Sequence, residues 1–208
     1  MRVYAESNFV LEMVRRQEQH AACEELLGLA ERSSIELVLP ALALFEPYGT
    51  LVRNANDIAR IRRDLDGSEK ALRRNNSKTQ DARQLRDASD VLLRAEQEAA
   101  AAFTTVRARL LAASHLVPFD AATLTAATAL STELDLELPD AVMLAAVLSD
   151  AKSRPSPSLF LNRNTNDFDD PAIRTRLRSL SCDFIGNFDD GLGRVRSSLA
   201  GVGSPPVG

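Results

Sequence analysis

Four carboxylates fall where a fold of alternating strands and helices places its chemistry. Glu6 follows the β-favouring run Arg2 to Ala5, and Glu46 lies one or two helical turns beyond the apolar run Ile35 to Leu39. Asp140 opens a helix, and Asp167 sits in the polar stretch after Leu159-Phe160-Leu161. In a parallel α/β sheet, ligands bind beyond the carboxyl ends of the strands, so polar residues directly after strands are the ones that meet a substrate. Carboxylates gathered at one sheet edge repel each other unless a cation compensates them, and a hard, oxygen-seeking divalent ion such as Mg²⁺ or Mn²⁺ is the usual resolution. The chemistry of such an all-carboxylate site is metal-assisted hydrolysis of phosphodiesters. His20, His115, Cys23 and Cys182 supply neither a nucleophilic triad nor a zinc set, and are read as structural, the cysteines as core thiols.

Each acid also has a plainer reading. Asp140 beside Pro139 suits a first helical turn, where the dipole favours negative charge, and Asp167 fits an Asx-rich turn. Glu6 and Glu46 read equally as solvated acids. Asp170 before Pro171 is a cap alone, and Ser7 or Asn8 is the expected cap of the first helix.

The elements that must position these acids follow from periodicity. Helical spacing from Phe9 to about Ala30, interrupted near Gln17 to His20, predicts two short helices. Ile35 to Leu39 reads as a second strand, with Pro40 as a first-turn residue and a helix from Ala41 that kinks or restarts at Pro47. His115 to Pro118 predicts a third strand, and Asp120 caps a helix from Ala121 to Leu130. A helix from Pro139, the strand Leu159 to Leu161, a polar loop Asn162 to Asp169, a helix to Leu180 and a strand at Phe184-Ile185 follow. The expected fold class is α/β, a three-layer α/β/α sandwich with a mainly parallel central sheet. It forms one domain over 1–200, with 53–113 inserted as a helical hairpin and 201–208 as a disordered tail.

The inserted segment differs in charge from the rest. Between Arg53 and Arg109 stand 13 basic and 9 acidic residues, net +4, in a chain whose total is −4. Ile58, Ile61, Leu65 and Leu72 form one apolar stripe, and Leu85, Ala88, Leu92, Ala95, Ala99, Ala102, Val106 and Leu110 form another. Asn75 to Thr79 is the turn between two antiparallel helices. Arg73, Arg74 and Lys78 near this turn suit an RNA backbone. A solvated helix pair, and dimerisation through the alanine-rich side, are equally open uses of the same arm.

Composition bounds the rest. With 208 residues, 45% hydrophobic and 26% charged, the chain is long enough to bury a core, and it is neither disordered nor polybasic. No run reaches the roughly 18 apolar residues of a membrane span and no signal peptide opens the chain, so a cytoplasmic location is expected.

The segments VYAESNFVLE (Val3 to Glu12), LPALALFEPYGTL (Leu39 to Leu51), LPDAVMLAAVL (Leu138 to Leu148) and LFLNRNTNDF (Leu159 to Phe168) resemble, in order, the four motifs of PIN domains. The resemblance covers both ends of the chain and leaves the hairpin uncovered. It implies a Mg²⁺- or Mn²⁺-dependent endoribonuclease with Glu6, Glu46, Asp140 and Asp167 in its four acidic positions. Asn164 orients Asp167 or a metal-bound water in that reading. Glu6 stands where the family has Asp, and Asn162 where it has a small hydroxyl residue. The resemblance further implies a toxin of a toxin–antitoxin pair, inhibited by a small partner protein. The other class of reading is a degenerate PIN-like module that binds RNA or protein and cleaves nothing.

Overall fold

The computed structural model of the chain describes residues 1–202. Of the tail expected to be disordered, 203–208 lies outside the described residues, whereas Gly201 and Val202 close the last helix.

Short apolar runs, too short for helices and rich in β-branched and aromatic residues, make five strands among the described residues. These are β1 (Arg2–Ala5), β2 (Glu36–Pro40), β3 (Ser114–Val117), β4 (Ser158–Leu161) and β5 (Cys182–Ile185). They pair in the order β3-β2-β1-β4-β5, parallel throughout, with Val3 opposite Leu37 on one side and Leu159 on the other. β1 and β4 are buried along their whole length, as expected of inner strands covered on both faces. At the edge, β5 exposes Asp183, a charge that blunts further pairing.

The helices are α1 (Ser7–Arg15), α2 (His20–Glu31), α3 (Leu42–Arg73), α4 (Thr79–Ala113), α5 (Ala121–Leu134), α6 (Leu138–Ser153), α7 (Thr165–Phe168), α8 (Pro171–Ser179) and α9 (Phe188–Val202). Alternation along the strands divides them. Tyr4, Val38, Phe160 and Phe184 face a core with α5, α6 and α8. The opposite face meets α1, α2 and α9, where the Phe9 and Phe188 rings meet edge to face at 5.5 Å. This is the three-layer α/β/α sandwich. Asp120 and Asp170 cap α5 and α8 by accepting the backbone N–H of Thr123 and Ala172 at 2.8 and 2.7 Å. No helix of the described residues is long and apolar enough to cross a membrane.

Several local expectations need correction. Pro40 ends β2 opposite Val117 and does not begin a helix. The β1–β2 register stops at Val38, so its missing N–H is not needed on that side. Helix α3 runs through Pro47 unbroken. The proline lies in the second turn, where its missing N–H removes one bond, to the Ala43 carbonyl, and not a series of them. The polar stretch after β4 is not all loop, since Thr165–Phe168 forms one helical turn that buries Phe168. Helix α9 is an addition. Phe188, Leu192, Val195 and Leu199 carry its periodicity, but Gly191 and Gly193 depress its propensity.

The chain divides into two compact units, the sandwich (Met1–Pro47 with the chain from Val106 onward) and Tyr48–Thr105. The second unit is an antiparallel pair of helices joined by a single 3₁₀ turn at Asn76–Lys78, with Asn75 accepting the Ser77 N–H at 3.1 Å. Its seam keeps Ile58, Leu65, Leu72, Leu85, Leu92 and Ala99 of the expected stripes and departs from them at Ile61, Ala88 and Ala95. Ile61 is 45% exposed, and Ala88 and Ala95 face solvent. Arg62 and Ser89 take inner places, the Arg62 Nε donating to Ser89 Oγ at 3.2 Å. A 3.5-residue repeat selects positions Ala82, Leu85, Ser89, Leu92, Glu96, Ala99 and Phe103, and this period overrides the apolar one read from the residues.

Gly191 lies where α9 crosses β4. A Cβ there would stand 2.7 Å from the Cδ2 atom of the fully buried Leu161, whereas one on Gly193 would meet nothing. Gly191→Ala is therefore expected to destabilise by about 1–3 kcal/mol through overpacking. Gly193→Ala should stabilise by about 0.5–1 kcal/mol through helix propensity. Urea unfolding of the two variants checks this, and equal effects would contradict the packing of α9 on Leu161.

Candidate active site

The strand order reverses between β1 and β4, so the crevice beyond their carboxyl ends is where this sheet leaves room for a ligand. Glu6 leaves β1 at that point, and the segment from Asn162 leaves β4.

Glu6 is itself the N-cap of α1. Its backbone is extended, its Oε2 accepts the Asn8 N–H at 2.7 Å, and its Oε1 accepts the Arg163 N–H at 3.3 Å. The cap therefore falls neither on Ser7 nor on Asn8. The residue straight after the strand keeps the extended geometry that a cap requires, and Ser7 is already helical. The Ser7 hydroxyl donates instead to Glu46, which α3 carries. Glu6 is only 5% exposed. Burial pushes its carboxyl up to about 7, against its backbone hydrogen bonds, and the charge of Glu46 adds to the rise.

Asp140 enters from the first turn of α6, behind a proline that starts the helix. Burial first, then the charges of Asp167 and Glu46, lift its carboxyl to about 6, against a hydrogen bond from Asn164. Asn164 donates from Nδ2 to Asp167 Oδ2 at 2.6 Å, so the residue that lowers the Asp140 carboxyl also holds Asp167. Its backbone N–H is held by Asn162 Oδ1 at 2.8 Å. Asn162, almost wholly buried, shapes this turn through that bond.

The structure thus brings Asp140 within the field of Asp167 and Glu46, and Glu6 within that of Glu46. These charges act on one another without closing into a cage. Among the described residues, no group of three or more His, Cys, Asp or Glu side chains is placed to hold a metal ion. Arg73, Arg74 and Lys78 belong to the other unit. Arg73 pairs with Glu69 at 2.5 Å and Lys78 with Asp81 at 3.1 Å. Both cysteines are buried, and burial raises both thiols, Cys182 to about 11.

Three roles that support the crevice are not legible in the sequence, where Ser7 is expected only to cap α1 and Arg163 and Glu12 have no assignment. Ser7 holds Glu46, Arg163 gives its backbone N–H to Glu6, and Glu12 binds the Arg163 guanidinium from a fully buried place on α1. The one available signal was Glu12 itself, a charge among the buried positions Phe9, Val10 and Met13.

The sequence model of a family described as PIN domain matches residues 3–168, a span that contains Glu6, Glu46, Asp140 and Asp167. No curated protein matches the chain.

Both raised carboxyls bind their protons more tightly in the folded chain than in the unfolded one. Metal-free stability is therefore expected to fall as pH rises from about 4.5 to about 7, as these groups are forced to ionise in place. Asp140→Asn should remove part of that fall and raise the melting temperature at pH 7.5 by about 2–4 °C. A pH–melting profile identical in the variant and the wild type would mean that Asp140 is solvated.

Proposed function

This chain belongs to the PIN domain family, whose members are generally nucleases acting on RNA or DNA with divalent metal ions. From that premise we propose a metal-dependent endoribonuclease whose active site is Glu6, Glu46, Asp140 and Asp167. The observation that carries the reading is half-buried Asp140, its carboxyl raised by burial and by the charges of Asp167 and Glu46, beside the point where the strand order reverses.

The donors fit a hard divalent ion. They are carboxylate and amide oxygens, and their mutual repulsion is of the kind that a divalent charge relieves. Glu6, Glu46, Asp140 and Asp167 would hold Mg²⁺ or Mn²⁺, which when bound supplies Lewis-acid polarisation of the phosphodiester and activation of water. The side chains do the positioning. Asn164 holds Asp167, Ser7 holds Glu46, and the Arg163 N–H holds Glu6. In this reading the nucleophile would be water and no covalent intermediate would form. Arg73, Arg74 and Lys78 are assigned to the RNA backbone on the charge of their segment. A toxin role in the cytoplasm, with a small protein inhibitor, and a homodimer are finer readings that rest on family resemblance and on the alanine-rich helix.

One observation favours a second reading. Both oxygens of Glu6 already accept an N–H, which leaves its carboxylate less able to serve a cation. A PIN module that binds RNA or protein without cleaving it would have this feature.

Purified protein is expected to cleave a mixed RNA pool with Mn²⁺ or Mg²⁺ and not with chelator. Asp140→Asn should lose at least about a hundredfold in rate. Wild type that neither cleaves nor binds Mn²⁺ would leave the second reading standing. Replacing Arg73, Arg74 and Lys78 by Gln should flatten the salt dependence of RNA binding, lowering the log–log slope by up to about 2. An unchanged slope would return the arm to packing or dimerisation.

A further inference from the structure

Glu12 exposes no surface, carries a charge, and takes no part in the acidic crevice. Its carboxylate receives the Arg163 guanidinium and, at 2.9 Å, the backbone N–H of Gln19. The Gln19 side chain in turn accepts the Phe188 N–H at 2.6 Å, at the start of α9. A second guanidinium nitrogen of Arg163 lies 3.8 Å from Glu18, so the planar fork reaches two carboxylates where an ammonium would reach one. Helix α1, the α1–α2 turn, the start of α9 and the segment after β4 therefore meet at one buried ion. A hydrophobic side chain would fill the place of Glu12 without the penalty of dehydrating its charge, while the Arg163 side chain keeps about a third of its surface. What the pair adds is geometry. The main-chain N–H of Arg163 is the one that meets Glu6, and the next residue, Asn164, holds Asp167 and acts on the Asp140 carboxyl.

We infer that the Glu12–Arg163 pair is a positioning lock. It clamps the segment after β4 against α1, and so sets Glu6, Asp140 and Asp167 relative to one another. Neither residue touches substrate in this assignment, and both act through the residues they hold. The consequence for metal binding rests on the nuclease reading, whereas the lock itself does not.

Two readouts separate these. Amide hydrogen exchange across 162–168 reports the lock directly. In Glu12→Gln, which keeps the shape and removes the charge, that segment should exchange at least about tenfold faster while strands β1 and β4 stay protected. Titration with Mn²⁺ alone reports the site, and Glu12→Gln and Arg163→Met should each weaken binding about 10- to 100-fold, the range for groups that orient metal ligands. The double variant Glu12→Leu/Arg163→Met removes the buried-charge penalty. It should melt near the wild-type temperature yet keep weak Mn²⁺ binding. Glu25→Gln, which breaks the exposed pair with Arg196, serves as the control and should change neither readout. Unchanged exchange at 162–168 in Glu12→Gln overturns the lock. Recovery of both melting and Mn²⁺ affinity in the apolar double variant overturns it too, because the pair would then be structural only. If 162–168 loosens as expected but wild type binds no Mn²⁺, the nuclease reading fails and the lock stands.

Discussion

Like charge held at the carboxyl edge of one parallel sheet is the constraint around which this molecule is arranged. The same sheet shows the opposite treatment at its amino edge. There Asp150 is buried, as Glu6 is, yet Arg154 and Tyr4 outweigh its burial and hold its carboxyl below the usual range. Glu36 is held down in the same way by Arg154 and Arg2. At the carboxyl edge burial wins, and Glu6 and Asp140 are both raised. The fold has an arginine within reach of the crevice and directs its guanidinium away, towards Glu12. The helix ends that receive Glu6 and Asp140 offer only partial positive charge, which softens the repulsion without cancelling it. The imbalance is thus kept at one edge of the sheet and corrected at the other.

The second unit follows another logic. Its helices place Arg62, Ser89 and Glu96 at seam positions that a sequence chosen for stability alone would fill with leucine. The Arg62–Ser89–Asp66 chain of contacts, at 3.2 and 3.5 Å, sets one helix against the other in a single register. A polar residue at an inner coiled-coil position trades stability for such specificity. The arm is thus fixed in register while burying little apolar surface.

The strands were legible because runs such as Val3 to Ala5 and Leu37 to Leu39 have one use in a sheet covered on both faces. The caps at Asp120 and Asp170 were legible because a short acid before a helix has a local purpose. What escaped depends on partners distant in sequence. Whether Ser89 or Ala88 faces inward depends on the opposite helix, and a 3.5-residue seam drifts from the 3.6-residue stripe over several turns. Helix α9 was hidden by Gly191, whose missing side chain makes room for Leu161. Glu12 and Arg163 stand 151 residues apart, and neither residue announces the other. The four acids could be nominated from their places after strands, but their mutual fields follow from packing alone.

Glu6 shows how one methylene changes the use of a side chain. A carboxylate directly after a strand can turn inward to the crevice or back to the first N–H groups of its own helix. The longer arm of Glu6 does both at once, with Oε2 on the Asn8 N–H and Oε1 on the Arg163 N–H. Of about four lone-pair directions on a carboxylate, two remain for anything that enters the crevice. The two hydrogen bonds favour the ionised form, yet burial still raises the group to about 7, so they stabilise the charge by less than its desolvation costs. Glu6 is accordingly a joint between α1 and the segment after β4 before it is a ligand. Whatever binds the crevice gains the most by completing what those two N–H groups leave undone.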